Sequence, residues 1–202
     1  NLIRCLSRHH SVDLVSLVSD SDTKHLDWAK RYCGDVRTIH LRSHNVLRRA
    51  ANFASCHWAG TPLHYRTELE AMLRDCLASR KWDVLHVEGP FAGGLVSAAL
   101  PVPKVLSLHD SWTMRLEHLL KCSKSLRETA FLRLLKIQEP RYERLVYPRY
   151  QRCVVVAQPD ADEIRRVVPN ASTVVIPYGT DTEYFHPVSV PKQERTMVFH
   201  SH

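Results

Sequence analysis

The sequence predicts an α/β domain built on a doubly wound, mainly parallel sheet. Three observations predict it. Apolar runs of strand length alternate with segments of helical periodicity along most of the 202 residues. The strand-length runs are nearly continuous in Val, Ile and Leu, as required where helices cover both faces of a sheet. No internal repeat or low-complexity tract interrupts the alternation.

Residues 1–9 read as a helix that is already under way at Asn1-Leu2-Ile3-Arg4-Cys5-Leu6, and 12–18 as the first strand. A polar helix over 22–32, a short strand over 36–41 and a helix over 43–56 follow. The helix over 64–80 carries Leu69, Met72, Leu73, Cys76 and Leu77 at helical spacing, which makes one apolar face. Strands are expected at 83–88 and 104–109, separated by a small-residue helix over 92–100 that Pro101 ends. A long basic helical region spans 112–150, with Pro140 and Pro148 expected to kink or segment it. A strand over 153–157, a helix over 159–168 and a strand over 173–177 complete the alternation. The result is a Rossmann-like domain over 1–185. Residues 186–202, with Pro187 and Pro191, read as a linker and the start of a second domain. Thr196-Met197-Val198-Phe199-His200 opens a strand with nothing after it, so both ends read as cut.

The composition, 44% hydrophobic and 24% charged, is that of a globular domain and excludes disordered and fibrous classes. No stretch approaches the roughly 18 apolar residues of a membrane-spanning helix, and no secretory leader pattern is present. The six cysteines are scattered without a CxxC pair, which reads as reduced side chains and points to a cytoplasmic compartment. The surplus of 28 basic over 21 acidic residues gives a net charge of +7, which favours anionic partners without choosing among them.

In open parallel sheets ligands bind beyond the carboxyl ends of the strands, so the residues closing each strand are the candidates. Glu88-Gly89-Pro90, His109-Asp110-Ser111-Trp112 and Pro177-Tyr178-Gly179-Thr180-Asp181 occupy such positions. The imidazole of His109 can accept a proton from a hydroxyl or stabilise positive charge near neutral pH. Asp110 can bind a sugar hydroxyl or set the ring's tautomer; a helix-capping His-Asp pair has the same letters. Gly89 lets the backbone turn beside Glu88 and approach a ligand. Gly93-Gly94 suggests a phosphate cradle but lacks the GxGxxG spacing.

These pieces together resemble family 4 glycosyltransferases of the GT-B type. The run Val174-Val175-Ile176-Pro177-Tyr178-Gly179-Thr180-Asp181-Thr182-Glu183-Tyr184-Phe185-His186-Pro187 is similar to that family's V-I-P-N-G-V-D-x-x-x-F-x-P segment. Cys153 to Ile164 matches the strand and S-E-A-D-A-E-x-L run before it, and His109-Asp110 matches its His-Asp pair. The resemblance places a first strand before Asn1. It implies a cleft between two Rossmann-like domains, this one holding the acceptor and a carboxyl-terminal one gripping the nucleoside diphosphate. It further implies transfer from a nucleotide sugar to a sugar, lipid-linked or small-molecule acceptor. That transfer would retain anomeric configuration, with no metal and no cofactor beyond the donor substrate. His109 then acts at the reacting sugar, Glu88, Gly89, Asp110 and Ser111 line the acceptor side, and Pro177, Tyr178 and Gly179 form the hinge at the cleft. The family's Glu-x7-Glu donor motif would lie past His202.

Two positions depart from the pattern. Tyr178 stands in place of Asn at the hinge. Ala157 stands in place of a capping Ser, with Pro159, Asp160, Asp162 and Glu163 as partial compensation through fixed φ and helix-dipole complementarity.

Other readings compete. Asp20-Ser21-Asp22 spells the D-x-D of metal-dependent glycosyltransferases, although an acidic turn capping the next helix spells it too. His9-His10 and His200-Ser201-His202 lack partners at ligand spacing. In the 112–150 region Lys121, Lys124, Arg127, Arg133, Lys136, Arg141, Arg144, Arg149 and Arg152 interleave with Leu119, Leu120, Leu126, Phe131, Leu132, Leu134 and Leu135. That pattern fits a core helix with a solvated basic face, or peripheral contact with an anionic membrane surface. Nucleic acid is disfavoured because no reading helix or aromatic platform is present. A nucleotide-sugar epimerase of the same architecture and a non-catalytic basic binding module are the alternatives to transfer. The fragment alone is expected to be inactive and to self-associate through its open interdomain face.

Overall fold

The apolar runs fold as strands at the expected places in the computed structural model, which describes residues 2–41, 65–182 and 184–186. They are β1 (Leu14–Val18), β2 (Val36–His40), β3 (Leu85–Glu88), β4 (Lys104–His109), β5 (Arg152–Val155) and β6 (Thr173–Val175). Every pairing is parallel. The strands divide between two ladders, β1-β2 and β3-β4-β5-β6. Ile39 of β2 nevertheless packs in the same apolar core as Val87 of β3, Leu106 and Leu108 of β4 and Val155 of β5.

The helices are α1 (Leu2–Leu6), α2 (Leu26–Lys30), α3 (Arg66–Ser79), α4 (Pro90–Leu95), α5 (Trp112–Cys122), α6 (Leu126–Val146) and α7 (Gln158–Val167). The helix expected over 43–56 and the strand expected after Arg195 lie outside the described residues. Of the face read on α3, Leu69, Leu73 and Cys76 are buried, and burial raises the pKa of the Cys76 thiol.

The long basic region is two helices: the second ends at Val146, just before Pro148 as expected, but a further break falls where no proline stands. Pro140 lies inside α6, while the chain turns at Ser123-Lys124-Ser125. There the backbone of Ser123 and Ser125 is extended, and Ser123 Oγ donates to Glu128 Oε2 at 2.9 Å, tying the turn to the start of α6. The two helices fold back on each other through Leu116, Leu132 and Leu135, with Lys136 paired to Glu117 at 2.8 Å.

Against β4 lies α4, and across α4 lies α6. This is what the two glycines of α4 are for: a Cβ on Gly93 would sit 3.1 Å from Leu106, and one on Gly94 would sit 2.7 Å from the Tyr142 hydroxyl. The buried Tyr142 hydroxyl donates to the Pro90 carbonyl, and that of Tyr150 donates to the Gly93 carbonyl at 2.8 Å. Gly93-Gly94 is thus a packing device within the core, and the phosphate-cradle reading falls. Gly94→Ala is expected to cost about 1–3 kcal/mol by forcing Tyr142 off its carbonyl. Urea unfolding checks it, and an unchanged midpoint would show that the phenol can step aside.

Candidate functional site

Three strand ends converge on one imidazole. His109 closes β4, next to β3 on one side and β5 on the other. Its φ is +66°, in the region a non-glycine residue rarely adopts. The Asp110 N–H donates to the Leu108 carbonyl at 2.9 Å across it, closing a three-residue turn with positive φ at its centre. The β4–β5 register shifts at the same place, between Ser107 and His109. A bulge and a strained turn together re-aim this one side chain out of the sheet.

Once re-aimed, the ring is held at both nitrogens. Nε2 is bonded to Glu88 Oε1, from the last position of β3. Nδ1 lies 3.0 Å from the Tyr178 hydroxyl, in the segment that follows β6. The two rings stack with centroids 5.9 Å apart and planes 25° from parallel. The second Glu88 oxygen is 3.0 Å from Nε2 of His86, two residues back on β3. An ionised carboxylate only accepts, so the Glu88 bond places the His109 proton on Nε2. Nδ1 of the neutral ring then accepts from the Tyr178 hydroxyl. The side chains of His109 and Glu88 are 42% and 52% exposed, so a ligand can reach both.

The other expected residues take distinct places. Gly89 has φ +82° and ψ 150°, a conformation essentially confined to glycine, and a Cβ there would meet nothing within 4 Å. Its backbone turns sharply beside Glu88 and faces open space. Asp110 is half exposed and meets Arg115 Nη1 at 3.3 Å. Ser111 is 1% exposed: its Oγ accepts from the Met114 N–H at the start of α5, and its own N–H donates to Asp160 Oδ1 at 2.8 Å. The structure therefore gives Ser111 a capping role beneath the site. Pro177, Tyr178 and Gly179 are exposed, and Pro177 and Gly179 flank the tyrosine that reaches His109. Ala157 makes no side-chain cap on α7, and Pro159 stands in its first turn as read from the sequence.

Competing features resolve differently. Asp22 accepts from both the N–H and the hydroxyl of Ser19, at 2.8 and 2.6 Å, which holds its carboxyl below the usual range. The capping reading of the D-x-D letters is the one realised at Asp22. The five described cysteines are all free. Two are buried, and burial pushes the Cys153 thiol up to about 12. A cavity of about 400 Å³ lined by Leu77, Trp82, Pro101 and Pro103 sits at the amino-terminal edge of β3 and β4, away from this chemistry. The strand-end rule favours the His109 edge over it.

Two contacts escaped the sequence reading. His86 was legible in principle, since the two-residue spacing of His86-Val87-Glu88 puts both polar side chains on one face of the strand. Arg4 was not. Its guanidinium donates to Asp181 Oδ2 at 2.6 Å, tying the amino-terminal helix to the segment that carries Tyr178. The two partners are 177 residues apart and share no local pattern.

Parallel ladders, intervening helices and a site at the carboxyl edge define a Rossmann-like α/β domain of the kind that forms half of a GT-B fold. The model of Glycosyltransferase Family 4 matches residues 1–184, and the chain belongs to that family as an amino-terminal glycosyltransferase domain. No curated protein matches it. No described helix is long and apolar enough to cross a membrane.

Proposed function

We propose that this domain supplies the acceptor side of an enzyme that moves a sugar from a nucleotide-sugar donor onto a hydroxyl of a sugar, lipid-linked or small-molecule acceptor. The observation that carries the reading is His109, strained at the end of β4 and gripped by Glu88 and Tyr178. Strain of this kind persists where the surroundings enforce it, and it clusters at sites of function.

In the reaction the acceptor oxygen bonds to the anomeric carbon as the bond to the nucleoside diphosphate breaks, and the hydroxyl proton passes to an oxygen of the leaving diphosphate. His109 is the group here that can accommodate positive charge growing on the reacting sugar, or hydrogen-bond it through Nδ1 once the exposed Tyr178 hydroxyl gives way. Glu88 fixes which nitrogen carries the ring proton and would stabilise an imidazolium. Asp110 and the open backbone at Gly89 are placed to meet acceptor hydroxyls. In this reading anomeric configuration is retained. Basic side chains and helix amino-termini, in place of a metal, neutralise the leaving diphosphate.

The test is product analysis. Full-length protein, given a labelled nucleotide sugar and candidate acceptors, is expected to yield a labelled acceptor conjugate. Release of free or epimerised sugar with no conjugate under any acceptor would replace transfer by chemistry on the donor alone.

A further inference from the structure

The outward face of α6 carries a feature that the transfer reading does not use. Leu126, Ala130, Leu134, Ile137 and Leu145 lie along one side of the helix at steps of four, four, three and eight residues, with Arg141 on the same line between the last two. All are exposed, with Leu126 at 90% and Ile137 at 64%. The core-facing side is a different set, Leu132, Leu135, Tyr142 and Val146. This 21-residue helix therefore carries a second apolar stripe, from Leu126 to Leu145 and broken only at Arg141, that faces solvent over most of its length of about 30 Å.

Its charges are sorted as well. Arg127 and Arg133 flank the outer stripe and Arg141 interrupts it near its end; all three are exposed, and no ion pair of theirs is found among the described residues. Lys136 is engaged by Glu117, and Arg144 by the Val167 carbonyl. The three carboxylates of α6 lie elsewhere: Glu139 and Glu143 are buried, and Glu128 turns back to Ser123.

We infer that this face of α6 docks on an anionic lipid surface, its leucines and isoleucine at the headgroup–acyl boundary and its arginines on lipid phosphates. An apolar stripe with a one-sign basic border is the pattern of a helix lying in a membrane interface. Long arginine side chains reach headgroups while their stems cover apolar surface. A second copy of the chain fits less well, because a two-fold contact through this face would set arginines against arginines. A nucleic-acid backbone fits less well because it offers nothing to the aliphatic centre of the stripe. The inference rests on α6 alone and stands whether or not the transfer reading does.

The test is co-sedimentation of the chain with vesicles of phosphatidylcholine alone and of phosphatidylcholine mixed with phosphatidylglycerol, at low and high salt. Binding is expected to the anionic vesicles only, and to weaken as salt rises. Each basic residue near such a surface multiplies partition about fivefold, so Arg127→Gln/Arg133→Gln/Arg141→Gln is expected to lower it roughly a hundredfold. Leu134→Gln/Ile137→Gln should also release the protein from vesicles at low salt. These positions are exposed, and circular dichroism confirms that the variants fold. Equal binding to neutral vesicles, no binding to anionic ones, or full binding by the triple variant would overturn the inference. So would a dimer in sedimentation velocity that the Leu134/Ile137 pair disperses, which would make the occupant a second copy.

Discussion

His109→Ala is expected to lower turnover at least about a hundredfold while the protein stays folded, since a positioned acid–base or charge-stabilising group contributes about 10²–10⁴ in rate. The side chain is half exposed and fills no core space, so its loss opens no cavity. Backbone strain gives the experiment a second reading. At φ +66° alanine is as uncomfortable as histidine, whereas glycine is not. His109→Gly should therefore be more stable than His109→Ala by about 1 kcal/mol and equally inactive. Turnover unchanged in both variants would remove His109 from the chemistry. Glu88→Gln should lower turnover in the same direction, because it takes away the charge that fixes the ring. Tyr178→Phe should do so less, since it keeps the stacked ring and loses only the hydroxyl on Nδ1.

The second large effect is on stability and depends on pH. Glu143 of α6 is completely buried. Burial pushes its carboxyl up to about 7, against smaller opposing effects from the hydroxyls of Thr113 and Tyr147, while the negative charge of Glu163 adds to the rise and Arg144 opposes it. The two hydroxyls donate to its oxygens at 3.3 and 3.4 Å. An acid whose folded pKa exceeds its unfolded value of 4.5 is bound as the neutral form in the native state. Between those two pKa values the folded protein holds a proton that the unfolded chain has released, so stability falls as pH rises through the window. The gap corresponds to about 3 kcal/mol of stability, fully present below pH 4.5 and lost above pH 7. Glu143→Gln removes the charge and keeps an acceptor for one of the two hydroxyls, while the other turns to accept from the new amide N–H. It is expected to match the parent near pH 4.5 and to exceed it by about 3 kcal/mol at pH 8, as read by urea unfolding at each pH. Parallel curves for the two proteins would show that the buried carboxylate is solvated after all.

The sequence by itself determined the parallel strands, because a strand covered on both faces must be apolar almost throughout, and that is visible in Val87, Leu106, Leu108 and Val155 without any partner known. It also determined that Glu88 and His109 each end a strand, since strand ends follow from strand limits, whereas the pairing of those two strands side by side came from the fold. Of the two prolines in 112–150, Pro148 does mark the end of α6 and Pro140 is tolerated inside it, while the further division at Ser123-Lys124-Ser125, where the backbone turns extended, carries no proline and was missed. The tertiary structure alone decided the rest. That Gly93-Gly94 meets Tyr142, that Asp181 is tied to Arg4, and that Tyr178 closes on His109 are contacts between segments far apart in the chain. Local periodicity carries no information about which distant side chain arrives there. The same holds for the two apolar stripes of α6: helical spacing reveals both, but only the packing of α5 and α4 against one of them leaves the other facing water.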